Sequence, residues 1–183
     1  MSQLSDQEIL ELYRDENSRN YSFSLLVSKY QERLYWHIRK LVISHEDADD
    51  VLQNTFIKAW RSLSNFREES QLFTWLYKIA TNESLGFLRS KTRWSFLPFS
   101  SVEKVLKQSL SEDPYFKGDQ IQRKLQEAIL ELPEKQRLVF NMRYYDELSY
   151  EEISKILDTS VGALKASYHH AAKKIEEKMK SGI

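Results

Sequence analysis

The chain has 183 residues, with 27 basic and 27 acidic side chains and a formal net charge of zero at pH 7. This length suits one large domain or two small ones, and the neutral balance provides no overall electrostatic attraction to nucleic acid. Cysteine is missing from the sequence, which excludes disulfides and thiolate metal sites, and no apolar run approaches the roughly 20 residues of a membrane span. We therefore expect a cytoplasmic protein. The few glycines and prolines favour long helices.

Apolar residues recur at helical intervals through the first half of the chain and predict four helices there. The predicted spans are 5–14, 21–42, 44–63 and 70–89. Ser5 and Ser44 can cap the first and the third of these helices. Trp75 lies well off the apolar side of the fourth helix. A large ring is unexpected at that place unless another group covers it.

The periodic pattern decays between residues 90 and 118, and we interpret this segment as a linker. It contains several serines and also Pro98, Pro114 and Gly118. A helical piece is predicted only around Val102 to Leu110. The aromatic side chains of this part of the chain indicate that it docks somewhere and does not float free. They are Trp94, Phe96, Phe99, Tyr115 and Phe116.

Helical periodicity returns at Gln120 and predicts one helix that ends at Pro133 and a second from Glu134 to Tyr145. Pro133 suits the first turn of the second helix, because the N–H that proline lacks is not needed there. The sequence shows no strand-like alternation and no long internal repeat. The pattern therefore predicts an all-α protein.

Residues 148–174 carry a second kind of signal. Ser149 and Glu152 form a capping box at the start of a short helix, which ends at a polar turn around Asp158. A second helix follows, with Gly162 in its first turn, where a missing side chain lets another backbone approach. Two short helices joined by a tight turn form a helix-turn-helix, whose second helix can enter the DNA major groove. Five residues outside its apolar stripe can reach phosphates or base edges: Lys165, His169, His170, Lys173 and Lys174.

Three segments, in this order, resemble RNA polymerase sigma factors of the extracytoplasmic-function (ECF) group. HEDADDVLQNTFIKAW is similar to the acidic helix of that family's second conserved region, and FTWLYKIATNESLGFLR to its promoter-melting helix. LPEKQRLVFNMRYYDELSYEEISKILDTSVGALK resembles the fourth conserved region. The resemblance implies an all-α fold of two small helical domains joined by a flexible linker, with the helix-turn-helix in the C-terminal domain. The expected boundaries are 1–93, 94–118 and 119–183.

The resemblance further implies that the acidic helix docks on the β′ clamp helices of core RNA polymerase and that the second domain sits on the β flap. The polymerase-binding residues would be Asp47, Asp49, Asp50 and Gln53. Without the resemblance, a solvated helix N-terminus would explain these residues, since carboxylates there favourably meet the helix dipole.

Promoter opening requires unpaired bases to be held by pockets and aromatic faces, and stacking contributes about 1–3 kcal/mol per base. By resemblance, Phe66 and Asn82 match positions that surround the flipped base of the minus-ten element. The residues implied in minus-ten binding are Phe66, Arg67, Trp75, Lys78, Asn82 and Arg89. Tyr77, close to the apolar stripe, is expected to be a core residue or to serve both purposes.

The five residues of the second helix named above would bind the minus-thirty-five element. Here the chain departs from the family pattern, because His170 and Ala172 stand where arginine is frequent. Many members of the family are held inactive by an anti-sigma factor, so we expect such a partner here.

Two alternative functions are a stand-alone helix-turn-helix repressor and an adaptor that docks on polymerase without opening DNA. The four histidines have no metal-binding spacing and no nucleophile or phosphate loop is evident, so neither an enzyme nor a cofactor is predicted.

Overall fold

A computed structural model describes residues 4–94, 100–116 and 119–181, and these segments contain helices and no strand. The nine α-helices of these segments are α1 (Asp6–Arg14), α2 (Arg19–Val42), α3 (His45–Ser62), α4 (Leu72–Trp94), α5 (Ser100–Glu112), α6 (Gln120–Leu130), α7 (Glu134–Tyr144), α8 (Tyr150–Leu157) and α9 (Val161–Lys180). The prediction of an all-α fold is confirmed. None of the helices in the described segments combines the length and apolar character needed to cross a bilayer. Phe96, Pro98, Phe99, Gly118 and the side chain of Trp94 lie outside the described residues.

Local capping sets most of the helix starts that the sequence predicts. Ser5 and Ser149 each form a reciprocal capping box with the glutamate three residues later. Ser44 accepts a hydrogen bond from the Asp47 amide over 3.4 Å and so caps α3. Pro133 lies just before α7 rather than inside its first turn. The prediction for α4 was too short, because that helix continues past Arg89 to Trp94.

Helices α1 to α4 form the N-terminal helical group. Helix α2 contacts α1, α3 and α4, and α3 also packs on α4. Leu26, Leu34, Ile38 and Leu76 have no exposed surface at the centre of this group. Each such side chain contributes about 1.5–3 kcal/mol through its removal from water. Tyr77 is equally buried, which confirms its assignment to the core.

Helices α6 to α9 form the C-terminal helical group. Phe140 of α7 stacks on Tyr168 of α9, with ring centroids 5.7 Å apart and planes only 12° from parallel. Ile129, Ala171 and Ile175 complete this apolar cluster. Helices α8 and α9 are the predicted helix-turn-helix, and Asp158 makes the turn with a left-handed backbone (φ 49°), a conformation that aspartate tolerates.

The segment between the groups is folded against them wherever the structure describes it. Its helical piece extends from Ser100 to Glu112 as α5, with Leu106 and Leu110 buried. Phe116 is buried as well, so it docks as predicted. Asp113 forms a buried ion pair with Arg39 of α2. The linker therefore contacts both the first group and the second, since α5 packs on α4 and α6.

The two helical groups also contact each other directly. Helix α7 packs on α2, and α8 packs on α4. As a result, the buried cluster that contains Leu34 and Leu76 continues into Val139, Ile153 and Ile156 of the C-terminal group. This packing places the first helix of the helix-turn-helix against α4.

Gly162 provides a test of helix energetics in α9. Apart from the neighbouring backbone of α9 itself, no described atom lies within 4 Å of the position that a Cβ would take at Gly162, so the backbone approach expected there does not occur among the described residues. We expect Gly162→Ala to raise the free energy of unfolding by roughly 0.5–1 kcal/mol, because alanine loses less backbone entropy in a helix. Denaturant unfolding followed by far-UV circular dichroism measures this difference. Gly86→Ala in α4 is the matched comparison, since Gly86 is equally uncrowded. A loss of stability in both variants would contradict the expectation.

Candidate functional site

One face of α3 presents polar residues and an aromatic ring to solvent. Asp49, Gln53 and Trp60 are exposed and lie at helical spacing on that face. The Trp60 ring is anchored from below, with its centroid 5.0 Å from that of Phe23 and 6.0 Å from that of Tyr13. These contacts hold the Trp60 ring in place while part of it stays exposed. Such a ring is suited to contact with a partner helix.

Ile57 belongs to the same face and was missed by the sequence analysis. It lies one turn after Gln53, and 41% of its surface is exposed. The sequence could have revealed this residue, because an aliphatic side chain four positions after Gln53 lies on the same solvent-facing side of the helix. With Trp60 it provides an apolar strip beside the carboxylates.

The two ends of the predicted acidic cluster differ in environment. Asp47 is half-buried and its carboxylate lies 2.5 Å from the Lys91 ammonium of α4. Asp49 and Asp50 are exposed, and Asp49 lies 3.4 Å from the His45 ring. Asp47 therefore links α3 to α4, whereas the later acidic residues are available to a partner.

On α4 the residues implied in minus-ten binding share one face. Trp75, Lys78, Asn82 and Arg89 fall within roughly 60° of one another at about 100° of rotation per residue. None of these four side chains is buried, whereas the opposite face of α4 carries the buried residue Leu76. One helix thus has a core side and a polar-aromatic side.

An aromatic pair marks the N-terminal end of that face. The rings of Phe66 and Trp75 have centroids 5.1 Å apart and planes inclined by 43°. Phe66 is therefore the group that covers Trp75, which explains how a large ring is held off the apolar stripe. Both rings keep some exposed surface, and the neighbouring Arg67 is exposed. The pair has the chemistry to stack an unpaired base.

Two cations of the α4 face are paired with acids from the C-terminal group. The Lys78 ammonium lies 2.7 Å from the Asp158 carboxylate in the turn of the helix-turn-helix. Arg89 and the Glu134 carboxylate of α7 approach to 3.9 Å. These pairs are exposed enough for water to screen them, so each contributes little stability. They show that the α4 face lies next to the C-terminal group in this arrangement.

The polar side of helix α9 is exposed, although Lys174 also hydrogen-bonds to Gln136 of α7. The predicted DNA-binding residues of α9 are all exposed: Lys165, His169, His170, Lys173 and Lys174. Leu164 is fully buried and Tyr168 partly so, which confirms that they belong to the core stripe. Ser160 accepts from the Ala163 amide over 3.3 Å and caps the helix. The exposed cations thus occupy one continuous helical surface.

Between the groups lies a buried polar network that the sequence analysis did not identify. His37 Nδ1 is 2.7 Å from Asp146 Oδ2, and His37 Nε2 is 2.9 Å from the Thr81 hydroxyl. Burial raises the pKa of the Asp146 carboxyl, but His37 and Lys40 outweigh burial, and the net pKa lies below the ordinary value. Burial also raises the pKa of the Tyr77 phenol, which keeps a proton to donate to the Arg33 carbonyl.

Two family models match the chain. The model described as Sigma-70 region 2 matches residues 26–94, which include α3 and α4. The model described as Sigma-70, region 4 matches residues 122–175, which include the helix-turn-helix.

Curated relatives match nearly the whole chain. The RNA polymerase sigma-H factor of Pseudomonas aeruginosa is 32% identical over 187 residues, covering 97% of this chain and 95% of the relative. The ECF RNA polymerase sigma-E factor of Escherichia coli is 33% identical with the same coverage.

Two solved structures share the fold. CnrH, solved in complex with the cytosolic domain of CnrY, has a TM-score of 0.69 at 21% identity and covers 96% of this chain and 97% of its own. The sigma factor RpoE, solved with the anti-sigma factor NepR from Bartonella quintana, has a TM-score of 0.67 at 22% identity and covers 86% of this chain and 96% of its own.

Proposed function

The chain belongs to the ECF group of RNA polymerase sigma factors in the sigma-70 family, and it directs promoter-specific transcription initiation with core RNA polymerase. From this premise we propose that three surfaces divide the work. The exposed face of α3 binds polymerase, the face of α4 captures the minus-ten strand and the polar side of α9 reads the minus-thirty-five duplex. The observation that carries the proposal is the exposure of these faces on three different helices whose other sides are buried.

For the polymerase contact, α3 offers carboxylates together with the apolar strip of Ile57 and Trp60. Asp49, Asp50 and Gln53 would approach the β′ clamp helices, and Asp47 would hold the α3 N-terminus through Lys91. Carboxylates orient the partners and raise the association rate, whereas an aromatic ring that is desolvated on binding contributes more of the affinity. The C-terminal group would rest on the β flap.

For DNA opening, α4 offers stacking surface, hydrogen-bonding groups and positive charge along one face. Phe66 and Trp75 would stack on an extruded base, and Asn82 would hydrogen-bond to its exposed edge. Arg67, Lys78 and Arg89 would contact the strand phosphates. Lys78 and Arg89 form exposed ion pairs with acids of the C-terminal group, and the strand phosphates would compete with those acids for both cations.

On α9, Lys165, His169 and His170 would contact bases or phosphates in the major groove. Lys173 and Lys174, further along the helix, would contact phosphates. A histidine can hydrogen-bond to a base edge when neutral or to a phosphate when protonated. This weakly cationic helix would leave much of the affinity for promoters to the polymerase complex.

We further infer an anti-sigma partner, because one of the matched structures holds the sigma factor RpoE with the anti-sigma factor NepR. The proposal places the chain in the cytoplasm, where bacterial core polymerase and chromosomal DNA meet. A stand-alone repressor would explain the helix-turn-helix but not the region 2 match over residues 26–94.

Run-off transcription tests the function directly. Core polymerase and a genomic promoter library are incubated with and without the purified chain, and the transcripts are sequenced. We expect a limited set of new start sites that share minus-ten and minus-thirty-five elements. Tight binding of the isolated chain to one duplex, with no new start sites, would favour the repressor.

Open-complex formation should depend on Phe66 and Asn82. We expect Phe66→Ala with Asn82→Ala to lower open-complex occupancy by about 5- to 150-fold, which corresponds to the 1–3 kcal/mol of one base-stacking contact. Permanganate footprinting on an identified promoter measures the occupancy, and gel filtration with core polymerase checks that binding persists. Tyr21→Ala is the control, since Tyr21 is an exposed ring on α2. Unchanged footprints in the double variant would favour an adaptor.

Polymerase binding should depend on the α3 face. We expect Asp49→Ala with Gln53→Ala to weaken binding to core polymerase by about tenfold or more, a cost of about 1.4 kcal/mol or more. Fluorescence anisotropy of the labelled chain titrated with core enzyme gives the dissociation constant.

The matched control for that variant is Gln7→Ala with Glu11→Ala on α1. It removes an exposed amide and an exposed carboxylate with the same four-residue separation. Equal weakening by both pairs would point to a general effect of negative charge and not to docking by α3.

A further inference from the structure

A cavity of about 290 Å³ lies where α2 meets α6, α7 and the short segment that precedes α6. Its volume is close to the lower end of the range for small-molecule sites, so it suits a ligand of one or two fused rings. Buried polar side chains form part of its lining, and exposed aromatic rings border it. None of the residues assigned above to polymerase or DNA binding on α3, α4 or α9 lines it.

Three exposed aromatic rings border this cavity: Trp36 of α2, Tyr115 of the segment before α6 and Tyr144 of α7. The Trp36 and Tyr115 rings have centroids 5.5 Å apart and planes inclined by 46°. In the described segments seven large apolar or aromatic side chains are exposed, so three of the seven meet at one place. Their flat faces provide a surface on which a planar ring can stack.

Two buried side chains of the same lining carry N–H groups that lack a partner. Arg39 and Gln126 are only 5% and 3% exposed. Within the part of the chain that the structure describes, neither Arg39 Nη1 nor Gln126 Nε2 has a hydrogen-bond partner. Of the three described side chains with such atoms, two line the cavity, and the third is Asn141. Buried donors nearly always have an acceptor, so this pair indicates that one from outside the chain belongs here.

The Arg39 guanidinium is held from one side. Its Nη2 donates to the buried carboxylate of Asp113, and its Cζ lies 5.8 Å from the centroid of the Phe116 ring. Because a guanidinium is planar and rigid, fixing one of its nitrogens also fixes the direction of the other. Guanidinium N–H groups make their strongest hydrogen bonds to carboxylates and phosphates. The unpaired Nη1 therefore favours an anionic acceptor.

The charges around the cavity favour an anion as well. Lys40 is a second cation of the lining, and its ammonium lies 4.8 Å from the centroid of the Tyr145 ring. Two buried carboxylates pair with the cations Arg39 and Lys40, but neither belongs to the lining that the structure describes: Asp113 and Asp146. Burial raises the pKa of the Tyr145 phenol to about 12, so the phenol keeps a proton that it can donate.

We propose that this cavity binds a small planar aromatic carboxylate. The ring of the ligand stacks on Trp36 and Tyr115, and its carboxylate accepts hydrogen bonds from Arg39 and Gln126. Both unpaired nitrogens are buried in the free chain, so a small rotation of each side chain accompanies binding, as is common at binding surfaces. The site adds a small-molecule ligand to the partners named above and does not depend on the proposed function.

Titration calorimetry on the full-length chain tests the site with three probes. The first, 2-naphthoate, carries a flat ring and a carboxylate. The second, 2-naphthamide, keeps the ring without the charge, and the third, cyclohexanecarboxylate, keeps the charge without a flat ring. We expect a dissociation constant below about 1 mM for 2-naphthoate and binding weaker by about fivefold or more for each of the other two.

Nuclear magnetic resonance with nitrogen-15 labelling locates the bound probe. Each tryptophan indole N–H gives its own signal, and only Trp36 lines the cavity among the tryptophans whose side chains the structure describes. We expect 2-naphthoate to shift the Trp36 signal more than those of Trp60 and Trp75. A larger shift at either of those two would place the probe elsewhere and overturn the site.

Two substitutions remove the unpaired donors. Gln126→Met keeps a similar volume and deletes an unsatisfied buried amide, so thermal stability should be unchanged or higher, while 2-naphthoate affinity falls by about fivefold or more. Arg39→Lys keeps a cation for Asp113 but loses the second nitrogen of the guanidinium. We expect it to reduce the preference for 2-naphthoate over 2-naphthamide by about fivefold or more. Circular dichroism melts confirm that each variant is folded.

Tyr115→Ala tests the aromatic border and remains measurable even if a buried substitution unfolds the chain, because the Tyr115 ring is exposed. It should weaken 2-naphthoate binding by about threefold or more. Tyr21→Ala is the matched control, since Tyr21 is an equally exposed ring of α2 that does not line the cavity. The site is overturned if 2-naphthoate does not bind the unsubstituted chain below about 1 mM, or if Tyr115→Ala behaves like Tyr21→Ala. Run-off transcription reports the proposed function separately, so either idea can fail alone.

Discussion

The contact between Asp146 and His37 governs how the two halves of this protein face each other. The His37 ring is fully buried among α2, α4 and the loop before α8, and its two nitrogens bond to groups from different elements. A buried polar group restricts the arrangements open to an apolar interface, because most displacements leave it without a partner. The placement of the helix-turn-helix beside α4 follows from that restriction together with the apolar packing around it.

Helix α4 contributes both to the core and to an outward-facing surface. Its buried side closes the core of the N-terminal group through Leu76 and Tyr77, whereas Trp75 and Asn82 lie on the other side. The same outward side meets α8 in this arrangement, and Lys78 pairs with Asp158. A surface suited to anionic DNA attracts acids wherever they occur, so internal pairing is a natural consequence of its charge.

Local sequence signals predicted much of the secondary structure for a simple reason. Caps such as Ser149 with Glu152 and stripes such as Ile153 with Ile156 act between residues three or four apart, so their partners are visible in the sequence. The polar side of α9 followed from the same spacing, whereas the site residues of α3 and α4 were implied by the resemblance to ECF sigma factors. Ile57 was missed although its signal was equally local. The end of α4 was placed too early, because helical periodicity is a weak guide to a terminus.

The sequence by itself therefore determined the helices, the helix-turn-helix and the polar side of α9, since each depends on neighbours within one or two turns. Only the tertiary structure decided that Phe66 covers Trp75, that Asp47 pairs with Lys91 and that Asp146 reaches His37. The last two residues are 109 positions apart in the chain. Side chains that meet across such separations follow no period, so their pairing emerges only when the helices pack.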